Sequence, residues 1–198
     1  MEPLLDELPD GLKRWAPPPR RLRYARCGSA GAFDLPRVVL EEEWGAPERQ
    51  GDRVVFRRTT REVGAEGPGR VIEDALVGYG PDGLVDLGVF VDGEFSPYVP
   101  PQVVLPADPV VGARWSAEHA RGERKSKRTV ELVACPQHKR CLLSVAEIRR
   151  PEGTLILRSH FADGEGWAGY DALVQAANRP SVRTWTEAVS VTVRTRGG

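Results

Sequence analysis

Short runs that alternate apolar and polar residues, punctuated by glycine and proline turns, recur along almost the whole chain, and this rhythm constrains the fold more than any other feature. A period of two places every second side chain on one face, as a half-buried strand requires. Val38, Leu40 and Trp44 share one face of an early run while Glu41 and Glu43 share the other. Val54 and Phe56 supply the apolar side of residues 53–63, on a parity they share with Arg58 and Thr60. Residues 70–79 and 84–92 flank Gly80-Pro-Asp-Gly83, a hairpin turn by composition, and Val85, Leu87, Val89 and Val91 are expected to face a core. Residues 129–135 and 141–149 form another hairpin, and residues 154–161 follow the turn Pro151-Glu-Gly153. The last run, 183–195, sets Trp185, Val189, Val191 and Val193 opposite Thr184, Thr186, Ala188, Ser190 and Thr192. Residues 20–26 fit a first edge strand, and in residues 170–177 helix and strand compete. About ten strand candidates at such spacing, without crossover helices, predict an all-β, mainly antiparallel protein with at most one or two short helices.

The segment from Val99 to Trp115 interrupts the rhythm. Pro100, Pro101, Pro106 and Pro109 fix φ and remove backbone donors, so neither helix nor central strand is expected to run through them. It reads as a stiff, buttressed connector between two β-meander halves, about 35–98 and 105–195, within one β-rich domain spanning 20–198. Leu35-Pro36, Val38-Val39 and Trp44 match Leu105-Pro106, Val110-Val111 and Trp115, as a duplication would leave them. Pro106, Gly112 and Trp115 are the structural residues here, with Trp115 anchoring the connector into a shared core. Residues 1–19 form an N-terminal arm with one short helix, 2–8, before Pro17, Pro18 and Pro19; Leu4, Leu5, Leu8, Leu12 and Trp15 give it an apolar stripe suited to capping the core.

Lysine plus arginine equals aspartate plus glutamate at 28 each, so no global field directs the chain to nucleic acid or to an anionic membrane. No run is long and apolar enough for a membrane-spanning helix, and the acidic N-terminus lacks a secretory signal, which predicts a cytoplasmic location. Three cysteines are too few for a disulfide scaffold. Cys135 and Cys141 flank a hairpin turn and are expected to be structural thiols; a disulfide requires an oxidising compartment, and a zinc site on Cys135, His138 and Cys141 lacks a second ligand pair.

Tyr98 to Pro101, Leu105-Pro106, the segment Val111-Gly112-Ala-Arg-Trp115 and the later loop Asp163-Gly164-Glu165-Gly166-Trp167 together resemble a loose group of bacterial β-rich domains of unknown function. In that group a hairpin like Asp82-Gly83-Leu84 precedes a Leu-Pro…Val-Gly-x-x-Trp segment. The resemblance covers roughly residues 35–195 and implies a strongly curved sheet or half-barrel like that of lipoprotein carriers, with a concave face for an apolar ligand or a partner segment. Members of the group are usually exported, in conflict with the location read from this N-terminus.

No local signature of a serine or cysteine hydrolase is present, His119, His138 and His160 are scattered, and neither glycine cluster is a phosphate loop. No catalytic residue, cofactor or metal is assigned. The leading expectation is a non-enzymatic protein-interaction or assembly module, binding another protein or a second copy of itself through sheet edges or a concave face. The alternative is a carrier of a small apolar ligand or lipid in a half-barrel cavity of several hundred Å3, on the order of known pockets. A third is a metal-dependent tunnel-type triphosphatase using Glu41 and Glu43 with Arg57, Arg61, Arg149 and Arg158, although Gly45 stands where that family has lysine. Arg121, Arg124, Lys125, Lys127 and Arg128 form the basic cluster, a candidate partner contact on a hairpin tip.

Overall fold

The computed structural model describes residues 8–15, 20–64, 67–136, 141–164, 166–176 and 179–193. The strands are β1 (Arg20–Ala30), β2 (Phe33–Trp44), β3 (Glu48–Gln50), β4 (Arg53–Gly64), β5 (Gly67–Gly80), β6 (Gly83–Val91) and β7 (Glu94–Leu105). They continue with β8 (Arg114–Arg121), β9 (Arg124–Ala134), β10 (Cys141–Arg150), β11 (Gly153–Ala162), β12 (Gly166–Ala176) and β13 (Val182–Val193). From β4 to β13 each strand pairs with the next in an antiparallel meander.

The expectation of a half-barrel is wrong, because two pairings between distant segments shut the sheet. β1 pairs with β13 from Arg20 opposite Val193 to Ala30 opposite Val182, and β2 pairs with β4 from Leu40 opposite Glu62 to Trp44 opposite Arg58. Of the thirteen strands only β3 stands outside the ring, attached to β4, so twelve close into an antiparallel barrel. An open sheet would leave two rows of unpaired N–H and C=O groups, and closure makes them satisfy each other. β1 is therefore not an edge strand.

β7 runs through Pro97, Pro100 and Pro101, so the first part of the expected connector, Val99 to Leu105, belongs to the wall. The register on β6 jumps from Gly88 opposite Pro97 to Asp86 opposite Gln102, and β8 meets β7 at one pair, Val99 opposite Ala120. The missing donors thus fall where the ladder is already interrupted. The Val99–Pro100 peptide is cis. A Cβ on Gly83, at φ 122°, would collide with the Leu105 carbonyl and Pro106, so the Gly80–Gly83 turn needs glycine at its end. Gly112 turns the chain into β8, its N–H donating to the Leu132 carbonyl at 2.7 Å. Trp115 is half-buried and packs against two core clusters. The competing segment 170–177 is strand as far as Ala176, in β12. In β13 the register skips Val189, placing Ala188 opposite Tyr24 and Val191 opposite Leu22.

One end of the barrel is plugged by the helix α1 (Asp10–Trp15). The expected helix over 2–8, with Leu4 and Leu5, lies outside the described residues. α1 is too short to persist alone and owes its stability to packing. Leu8, Leu12 and Trp15 enter a core with Trp44, Phe56, Tyr79, Leu105, Leu132 and Phe161. Trp44–Phe56 and Phe56–Tyr79 meet edge to face at 5.7 and 5.6 Å. A Cβ on Gly11 would lie 2.7 Å from the Ala107 carbonyl, and Arg14 Nε donates to Asp163 Oδ1 at 2.7 Å.

On the outer wall Asp171 of β12 ties β11 to β13, accepting from Arg158 Nη1 at 2.7 Å and from Arg183 Nε at 2.9 Å. Burial alone would raise its pKa, but the hydrogen bonds from Arg183 and Arg158 override burial and hold the carboxyl below its ordinary value. A depressed folded pKa contributes stability that is present above the unfolded carboxylate pKa and is lost as pH falls through the folded one. Asp171→Asn is therefore expected to lower stability at neutral pH and flatten the acid limb of a urea-midpoint profile against pH. An unchanged limb would mean that the ion triad contributes nothing.

Candidate functional site

Above the plug the barrel lumen holds a partly open cavity of about 370 Å3. Its wall is built from alternate residues of nine strands, and two tiers of side chains meet in it. One tier is aromatic: Tyr24 of β1 packs edge on against Trp167 of β12 at 5.5 Å, and Tyr170 lies 6.2 Å beyond. The other tier is ionic, with Arg26, Arg58 and Arg128 balanced by Glu42, Glu73 and Asp86.

The ionic tier is held by few bonds. Arg58 Nη2 donates to Glu73 Oε1 at 2.6 Å, Trp44 Nε1 to Glu42 Oε1 at 2.6 Å, and Arg128 Nη1 to Gln102 Oε1 at 2.8 Å. Nε of Arg58 and Nε of Arg128 are buried without a hydrogen-bond partner among the described residues. Asp86, on β6, has no hydrogen bond to any described residue; it feels Arg58 and Arg128 only through space. Burial pushes its carboxyl pKa up, against the pull of both arginines. Burial also works against the charge of Arg58, but Glu73, Asp86 and Glu42 more than offset it. Arg128 is held down by burial, with Asp86 opposing. Tyr24 is raised chiefly by burial. The described lining contains no histidine or cysteine.

The basic cluster divides. Arg128 turns into the barrel and is only 6% exposed, whereas Arg121, Arg124 and Lys125 line an open depression of about 650 Å3 with Tyr98, Gln102, His119 and Arg150. Lys127 lines a neighbouring groove. Gln102 faces this depression and accepts from Arg128, which faces the cavity, so the Arg128–Gln102 pair stands between the two. His119 is a satisfied core histidine, 2.9 Å from the Pro100 carbonyl through Nδ1. Glu41, Glu43, Arg57, Arg61, Arg149 and Arg158 do not line the cavity; Glu41 pairs with Arg21, Arg57 with Asp74 and Arg149 with Glu147 instead. The charged residues that do line it went unnoticed as a site in the sequence. Glu42 shares the parity of Leu40 and Trp44, Arg58 that of Val54 and Phe56, and Arg128 that of Val130 and Leu132. A charge on the apolar side of a strand was the available signal.

Away from the cavity Cys135 and Cys141 are joined by a disulfide rather than left as thiols, and Cys27 is free. An oxidising compartment sustains such a bond, so the cytoplasmic location expected from the N-terminus loses its support. His138 lies outside the described residues. No described helix is long and apolar enough to cross a membrane.

No family model and no curated protein matches the chain. Among solved structures it is similar to a candidate lipoprotein from Parabacteroides distasonis, at 8% identity and a TM-score of 0.42 over 90% of this chain and 97% of that one. It is also similar to a candidate exported protein with a YmcC-like fold from Bacteroides fragilis, at 9% identity and a TM-score of 0.41 over 91% and 99%.

Proposed function

We propose that the protein is a non-enzymatic binding protein that encloses one small, partly polar organic molecule in the lumen of its barrel. The observation that carries this reading is the half-buried Asp86 carboxyl, which borders a 370 Å3 space and has no hydrogen-bond partner among the described residues. A carboxyl that meets Arg58 and Arg128 only through space keeps its acceptor positions open, and a ligand hydroxyl or amine would supply a donor. The Tyr24–Trp167–Tyr170 wall suits a ring or another flat apolar part. The volume lies near the lower end of ligand pockets, about 300–1,000 Å3. Six ionisable groups in the lining disfavour a plain acyl chain, so the occupant differs from the lipid that a half-barrel carrier would hold. Closure of the sheet also leaves only the three-residue β3 outside the ring among the described strands, a short edge for an assembly role to rest on.

The test is a thermal-shift screen of small hydroxylated and amine-bearing ring compounds, with native mass spectrometry to count bound molecules. A true ligand at 100 times its Kd stabilises the fold by about 2.7 kcal/mol. Ser159 lines the cavity, so Ser159→Phe should fill part of it and abolish the shift while keeping the barrel's circular dichroism. Asp86→Asn should weaken binding of amines more than of alcohols. Binding that survives Ser159→Phe unchanged would place the ligand elsewhere and overturn the proposal.

A further inference from the structure

The outer wall carries a second constellation, independent of the lumen. Cys135 follows the last residue of β9, Cys141 opens β10 and His160 lies on β11. The ladder places Leu143 opposite His160 and Cys141 opposite Ala162, so Cys141 and His160 are diagonal neighbours on one face. Ser159 and Phe161 line the cavity while His160 does not, which puts that face outside the barrel. The two sulfurs and an imidazole nitrogen all lie within 4.8 Å of one another.

We propose that the reduced chain holds a zinc-class divalent cation on Cys135 Sγ, Cys141 Sγ and a ring nitrogen of His160, and that the disulfide is the metal-free, oxidised state of the same site. Tetrahedral zinc, with bonds of about 2.3 Å to sulfur and about 2.0 Å to nitrogen, sets its ligand atoms roughly 3.4 to 3.8 Å apart. The imidazole nitrogen lies within 4.8 Å of both sulfurs, about 1 Å beyond that spacing at most, while the sulfurs, bonded to each other in the disulfide, must part by roughly 2 Å on reduction to reach it. Thiolate and imidazole together select zinc-like ions over magnesium or calcium. Three protein ligands leave a fourth position for water or an incoming group, unlike the closed four-ligand sets of purely structural zinc.

The interconversion is balanced. A dithiol reductant attacks the disulfide and leaves as its own cyclic disulfide, delivering two electrons and two protons to give two cysteine thiols. Binding the cation to both sulfurs then releases those two protons to solvent. Metal and disulfide exclude each other, because the same sulfurs serve both. Loading of the site therefore reports the thiol redox state of the compartment.

The experiment titrates the full chain with cobalt(II) after reduction by a dithiol and removal of the excess reductant, and reads the thiolate-to-cobalt charge-transfer band. The expected result is one equivalent bound, displaced by zinc, with no band in the oxidised protein. Cys27→Ser should change nothing, Cys141→Ser should abolish the band, and His160→Ala should weaken binding by at least about tenfold, as loss of one ligand implies. His160→Gln, which preserves bulk, guards against a mere packing defect, since it too must weaken the metal while circular dichroism stays native. A reduced protein that binds no cobalt overturns the proposal. So does a band that both His160 variants leave unchanged, or one that vanishes in Cys27→Ser.

Discussion

Replacing Arg58 with alanine is expected to lower the unfolding free energy by about 1 to 3 kcal/mol, the usual cost of leaving polar groups of a part-buried cluster without their partner. Its guanidinium donates to Glu73 at 2.6 Å and offsets the charges of Asp86 and Glu42 inside the barrel. Without it the buried Glu42 and the half-buried Asp86 keep only Arg128 and Arg26 as cations in the lining, while Glu73, whose side chain is half-exposed, is left to solvent. The loss should depend on pH. Asp86 already has a raised pKa, so its destabilisation is absent below the unfolded carboxylate pKa and grows as pH climbs toward the folded one. Removing Arg58 raises that pKa further, which deepens the loss and extends its window upward. Asp86→Asn in the Arg58→Ala background should recover part of the stability, with a coupling of roughly 0.5–3 kcal/mol in a double-mutant cycle from urea unfolding. A single-variant cost under about 1 kcal/mol, the range of exposed ion pairs, would mean that the tier is solvated like a surface.

Leu12→Ala is the second large effect, expected at about 2–5 kcal/mol. Leu12 is fully buried where α1 meets the aromatic end of the barrel. The helix has no independent stability, so a cavity there loosens the whole plug. Lys13→Ala, one residue on, removes only an exposed ion pair with Asp10 and should change stability by less than about 0.5 kcal/mol. Urea midpoints with unchanged m values would establish the contrast. Equal, small effects at both positions would show that α1 does not seal the barrel.

What the chain reveals before folding, and what it hides, divides along local and nonlocal lines. Turns such as Gly80–Gly83 and faces such as Leu22 with Tyr24 are written in neighbouring residues. Closure is not, because the pairing of Arg20 with Val193 links positions almost the full length of the chain apart and has no local signature. The proline segment misled because the ladder rule applies only where a ladder exists, and around Pro100 the register is broken. In the site, Glu42, Arg58 and Arg128 were readable from parity. Asp86 was not: register shifts between Leu84 and Val85 and again between Asp86 and Gly88 disrupt the alternation, so the stripe running from Val85 ends at a half-exposed Val91 while Leu84 and Asp86 line the cavity. The Cys135–Cys141 turn was visible, but His160 reaches it only through the β10–β11 register.

The protein's five tryptophans allow the lumen to be tested directly by following their indole N–H resonances during titration with a small-molecule ligand. Trp44 and Trp167 line the cavity, whereas Trp15 belongs to the plug and Trp115 and Trp185 lie outside the lining. Binding in the lumen predicts saturable shifts at Trp44 and Trp167, with Trp115 and Trp185 unmoved. Shifts confined to Trp115 or Trp185, with the two lumen indoles unchanged, would contradict it.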